Sequence, residues 1–161
     1  MIDTATYPMV CLARRVPRAV GAGRARLIAL SILSLRLYVG VVWLRFGIAK
    51  LTNGWLTSNP LRPLLTTIAA HQLPTTAPGY SFVAHTLVAI HADAFLSVAI
   101  PVTEILIALA LLTGRSVRLM ALVACALNAN LLLAGVASVA LDVRMIVLQL
   151  VLIALVTFAT R

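Results

Sequence analysis

Residues 36–50 read RLYVGVVWLRFGIAK. Three cations, Arg36, Arg45 and Lys50, interrupt an otherwise apolar run from residue 27 to residue 51. The run exceeds the roughly 20 residues that a bilayer crossing requires. A soluble helix would turn its cations into water, whereas a membrane helix must partner them or carry them to an interface. The fold therefore depends on which solvent this run meets.

Composition decides for lipid. Hydrophobic residues make up 62% of the 161-residue chain and charged residues 11%, against roughly 25% charged in a soluble domain. The mean hydropathy is +1.07. The length suits one compact unit, whose outer surface must then be apolar as well. Lys and Arg outnumber Asp and Glu 13 to 4, a formal charge of +9. In a soluble protein this would suggest nucleic acid. Here Arg14, Arg15, Arg18, Arg24 and Arg26 stand just before the first apolar run. That is the placement of a topology signal in contact with anionic lipid, and no nucleic-acid partner is expected. The apolar run is too long for a cleavable signal, and residues 1–26 read as a retained basic tail. Cys11, in that tail, and Cys125, in a later apolar run, form no CxxC pair and are not expected to bridge.

Four spans are expected, at residues 27–51, 95–113, 119–140 and 143–160, in one domain covering 27–161. The fold class is all-α, an integral membrane four-helix bundle. Residues 114–118 (GRSVR) and 140–142 (ALD) read as short turns, with Asp142 able to N-cap the last helix. Short links imply antiparallel neighbours. The tail, the 114–118 turn and Arg161 put most cations on one side, so both termini are expected in the cytoplasm of a cell-membrane protein. The long outer connection, residues 52–94, holds two short helix candidates at 60–72 and 81–91. Neither can span. Each is expected to be interfacial or re-entrant over the bundle.

At 100° per residue, Arg36, Gly40, Trp43, Gly47 and Lys50 share one stripe of the first span, and Arg45 points the other way. The two glycines allow close approach of a neighbour. In the second span Ser97, Pro101, Glu104, Ala108 and Leu111 share a stripe that holds its only acid. Face and depth both choose Arg36 as the buried partner of Glu104. A lone charge at mid-bilayer costs about 2.5–3.5 kcal/mol, which pairing offsets. The pair either only locks two helices or takes part in function; the residues weigh these equally. Lys50 and Arg45 lie near the outer mouth, where they can meet an anion or a quinone; snorkelling is the simpler reading of Arg45. Asn128 and Gln149 are expected to make polar contacts between the third and fourth spans. His71, His85 and His91 all lie in the outer segment, and their spacing matches no metal motif, so no metal site is assigned.

RLYVGVVWLRFGIAKL at 36–51 and PVTEILIALALLTGRSVRLMAL at 101–122 resemble the DoxX/DoxD family of small four-helix membrane proteins. Arg36, Gly40, Gly47 and Lys50 match its R-x3-G-x6-G-x2-K-L pattern, and Glu104, Gly114 and Arg115 its second-helix pattern. NANLLLAG at 128–135 and DVRMIVLQ at 142–149 resemble it more loosely. The resemblance implies a membrane subunit in redox or sulfur metabolism, similar to the small subunit of a thiosulfate:quinone oxidoreductase. The chain has no flavin or nucleotide motif and no haem ligand within its spans, so electron transfer would need a bound quinone or a partner subunit. Two other classes remain open: a non-enzymatic anchor or assembly subunit, and, less favoured, a small transporter requiring oligomers.

Overall fold

The computed structural model describes residues 22–71, 73–136 and 138–159. Within them the chain is helical, with no strand. In order the helices are α1 (Ala22–Thr52), α2 (Trp55–Ser58), α3 (Leu61–Ala69), α4 (Tyr80–Ala89), α5 (Ala92–Thr113), α6 (Val117–Ala134) and α7 (Val139–Ala159). Four of them, α1, α5, α6 and α7, are long and apolar enough to cross a membrane. They form an antiparallel bundle: α1 packs most heavily on α5 and α6 on α7, while α1–α7 and α5–α6 contacts close the ring. Lipid-type solvation is written on its outside, where Leu37, Val41, Val102, Leu106, Leu122, Val147 and Leu150 are exposed.

Both expected stripes face inward. Arg36, Val39, Gly40, Trp43 and Gly47 are buried on α1, and Ser97, Pro101, Glu104, Ala108 and Leu111 on α5. The glycines set how the two helices meet. A Cβ on Gly47 would fall 2.7 Å from Ile105 Cγ1 and 3.3 Å from the Pro101 carbonyl oxygen. One on Gly40 would fall 3.0 Å from Leu112 Cγ and 3.4 Å from the Ala108 carbonyl oxygen. The core continues through Ile107, Ala121, Ala124, Met145 and Leu152.

Several expected boundaries move. The turn between the last two spans lies around Gly135, not at residues 140–142. Gly135 takes a left-handed φ of 70°, and α7 begins at Val139. Asp142 is consequently inside the first turn of α7 and is not its N-cap; its backbone N–H donates to the Ser138 carbonyl. The second span starts at residue 92, which places Asp93 within the helix. The first begins at residue 22, so the helix includes the last five residues of the expected tail; residues 1–21 lie outside the described residues.

The connection between the first two spans holds a second small core. Leu61, Leu65 and Ile68 of α3 pack with Ala84 of α4 and Ala134 of α6, so these short helices lie over one end of the bundle. The 75–80 segment stitches them to the α6 terminus. Thr75 Oγ1 donates to the Gly135 carbonyl (2.9 Å), Thr76 Oγ1 to Ala134 (3.2 Å), and the Ala77 N–H to Leu133 (2.9 Å). These bonds satisfy carbonyls that a helix end leaves without partners. Tyr80 Oη donates to Asn130 Oδ1 at 2.8 Å. Burial raises the Tyr80 hydroxyl above its ordinary range, which keeps it a neutral donor.

Candidate functional site

Glu104 is 2% exposed at the centre of α5, and its partner is Lys50. The Lys50 ammonium donates to Glu104 Oε1 in an ion pair, with the lysine side chain 21% exposed and so within reach of the surface. The expected Arg36–Glu104 pair does not form. The reason is the offset between the two helices. Gly47 backs onto Pro101 and Ile105, which puts Glu104 level with the stretch between Trp43 and Lys50. Arg36 instead meets Gly114, beyond the last residue of α5. Ten residues separate Glu104 from Gly114, about 15 Å along a helix. The α1 helix is 31 residues long and α5 is 22, so the midpoint of α1 is not the midpoint of the packed interface.

The ion pair has an aromatic rim. Lys50 Nζ lies 5.3 Å from the centroid of Trp55 and 5.9 Å from that of Phe46, within cation–π range. The buried polar atoms without a partner include Glu104 Oε2 and, about two helical turns from Lys50 along α1, Trp43 Nε1. One can accept a hydrogen bond and the other can donate one. Arg45, expected beside Lys50 at the mouth, is exposed on the other side of α1 and joins neither group.

Above the pair, toward the short helices, lies a polar link. Asp93 is fully buried. Asn59 Nδ2 donates to its Oδ2 at 2.6 Å, and Ser97 Oγ donates to Asn59 Oδ1 at 2.6 Å. Arg62 Nη1 approaches Asp93 Oδ2 at 3.7 Å from the exposed side. Asp93, Ser97, Pro101 and Glu104 all lie on the buried face of α5. Pro101 has no N–H, so the Ser97 carbonyl lacks its usual helical donor. The face is thus polar from the covered end of the bundle to its middle. Asn59 reaches this face from the left-handed corner after α2, with φ 43°, a conformation asparagine tolerates better than most residues.

On the far side of the core, Asn128 Nδ2 donates to Gln149 Oε1 at 3.2 Å, both side chains buried. This is the expected polar contact between the third and fourth spans. The histidines are exposed, and among the described residues no three His, Cys, Asp or Glu side chains converge as metal ligands. Cys125 is half-buried and unbridged; Cys11 lies outside the described residues. No family model matches the chain, and no curated protein or solved structure matches it.

Proposed function

We propose that the chain is a membrane subunit of a quinone-linked redox system, with the quinone headgroup received at Lys50 and Glu104. The observation that carries this reading is the half-buried Lys50–Glu104 pair with one buried carboxylate oxygen left over, rimmed by Phe46 and Trp55. A quinone needs a flat apolar seat, a donor to each carbonyl as charge builds there, and a route for protons. The ammonium of Lys50 and the indole N–H of Trp43 are donors; Glu104 Oε2 can take a proton from a quinol hydroxyl. The polar face through Ser97 and Asp93 offers a proton route toward the covered end. Two electrons leave with each two protons on quinol oxidation, and a partner subunit bearing an electron-carrying cofactor would take them. Quinone reduction runs the same step backward: two protons, one of them returned by Glu104, and two electrons from the partner subunit's cofactor form the quinol. That cofactor is re-reduced by an anionic donor attracted to the Lys50 end, for example two thiosulfates joining as one tetrathionate.

This reading agrees with the DoxX/DoxD resemblance, which rests on the same Gly40, Gly47, Lys50 and Glu104. It also sets the protein in the cell membrane with both termini cytoplasmic and the short helices outside, following the basic residues at the Arg115–Arg118 end. The test is to isolate the protein from native membranes in mild detergent and assay donor-dependent quinone reduction by whatever complex comes with it. Lys50→Gln should lower the rate at limiting quinone at least tenfold, about 1.4 kcal/mol of lost stabilisation. Any effect on an anionic donor should shrink as salt rises. Kinetics identical to wild type at every salt concentration would remove Lys50 from the site and favour the anchoring role.

A further inference from the structure

Arg36 is 9% exposed, and it makes no hydrogen bond or ion pair within the described residues. Its Nε is sealed from solvent with no acceptor. The guanidinium lies against the turn that ends α5. A Cβ on Gly114 would fall into it, 3.1 Å from Cζ. Gly114 also has a φ of 81°, so the glycine serves both the turn and the space the guanidinium occupies.

The acids among the described residues stand elsewhere. Glu104 is taken by Lys50, Asp93 by Asn59 and Arg62, and Asp142 belongs to the opposite end of the bundle, beside Ser138. The partial negative charge at the α5 C-terminus favours Arg36 here. It supplies no acceptor in hydrogen-bond geometry for a group with five N–H donors. Around the same turn the other charges are cations: Arg115 and Arg118 are exposed, one beside Gly114 and one in the first turn of α6. The place is short of an anion.

The depth says what kind. The α5 helix, 22 residues long, spans about 33 Å, close to a hydrocarbon core of about 30 Å. Its Gly114 end therefore lies at headgroup level. We infer that Arg36, Arg115 and Arg118 form a site for a phosphate oxyanion, carried there by an anionic phospholipid, with Arg36 as the buried ligand and the two exposed arginines as the outer clamp. Guanidinium suits phosphate because its paired N–H groups match two phosphate oxygens. A bound lipid would hold α1 to the α5–α6 turn where the Arg36 guanidinium is left without an acceptor.

The experiment is native mass spectrometry and thermal unfolding of the purified full chain in neutral detergent. The probes are phosphatidylglycerol, phosphatidylcholine and inorganic phosphate. Wild type should retain phosphatidylglycerol in preference to phosphatidylcholine and gain about 4 °C or more in Tm from it. Inorganic phosphate at the same concentration should do much less. Equal stabilisation by inorganic phosphate would overturn the lipid as the source. Arg36→Gln should abolish the preference, and Arg36→Lys should keep part of it. Because a buried substitution can fail to fold, Arg115→Gln/Arg118→Gln provides a second reading at exposed positions. Each of these two exposed arginines lost should weaken retention about fivefold. The inference is overturned if wild type shows no preference for phosphatidylglycerol, or if both sets of variants retain it as wild type does.

Discussion

Replacing Lys50 and Glu104 singly and together tests the helix offset that positions the whole site. Lys50→Gln leaves Glu104, 2% exposed, as an unpaired carboxylate at mid-bundle. Breaking a buried pair from one side costs about 3–5 kcal/mol, and insertion scales put a lone central charge at about 2.5–3.5 kcal/mol. Protonation of the carboxylate limits the loss, so about 2–3 kcal/mol is the expected figure. Glu104→Gln leaves a lysine whose side chain is 21% exposed and can swing to the surface. It should cost less, about 1–2 kcal/mol. The double variant loses a charge pair but strands no charge, and should be milder than the sum by about 1 kcal/mol or more. Arg36→Gln combined with Glu104→Gln is the control. These residues sit at opposite ends of a ten-residue stretch of α5, and their effects should add to within about 0.5 kcal/mol. Equilibrium unfolding in mixed micelles reads all five variants. Additivity for Lys50–Glu104 together with coupling for Arg36–Glu104 would refute the offset and restore the pairing expected from depth in the sequence alone.

Gly47→Ala should destabilise by about 1–3 kcal/mol through overpacking, since its Cβ would fall 2.7 Å from Ile105 Cγ1. Gly23→Ala, with nothing within 4 Å, should be neutral or stabilising in the same assay. Gly135→Ala should cost more than about 2 kcal/mol, combining left-handed strain with collision on the Thr75 backbone at 2.6 Å; a neutral result would mean the 75–77 segment is not docked on α6. Asn59→Ala should cost about 1–3 kcal/mol by stripping the buried Asp93 of its hydrogen bond, read as a fall in Tm. A single cysteine at Ser58, in a background without Cys11 and Cys125, should react with an impermeant thiol reagent from outside intact cells, and one at Arg115 only in inside-out vesicles. The opposite pattern would invert the proposed orientation.

The faces of the two central helices were legible because helical periodicity is local: Arg36, Gly40, Trp43 and Gly47 on α1, and Ser97, Pro101, Glu104 and Ala108 on α5, point inward as their spacing requires. How far one helix slides past the other was not. That offset is set by glycines fitting against Pro101, Ile105 and Leu112, a tertiary fit that apolar run lengths do not report. The choice of Arg36 over Lys50 failed on that point. The Asn59–Asp93–Ser97 link joins a corner residue to a helix 34 positions away, beyond any periodic pattern, although Asp93 shares the helical spacing of Ser97 and Glu104. Asp142 drew the last turn to the wrong place because acids favour N-caps; Gly135, the residue that can take φ 70° without strain, was the better signal.

A quinone site at Lys50 and Glu104 is tested most directly by photolabelling. The purified protein in lipid nanodiscs is irradiated with an azido-quinone, digested, and mapped by mass spectrometry. Label should concentrate within residues 43–55 and 101–107, fall when unlabelled quinone is added, and disappear from Lys50→Gln. Label spread over lipid-facing positions such as Val41, Leu106 and Val147, indifferent to both competitor and substitution, would contradict the site.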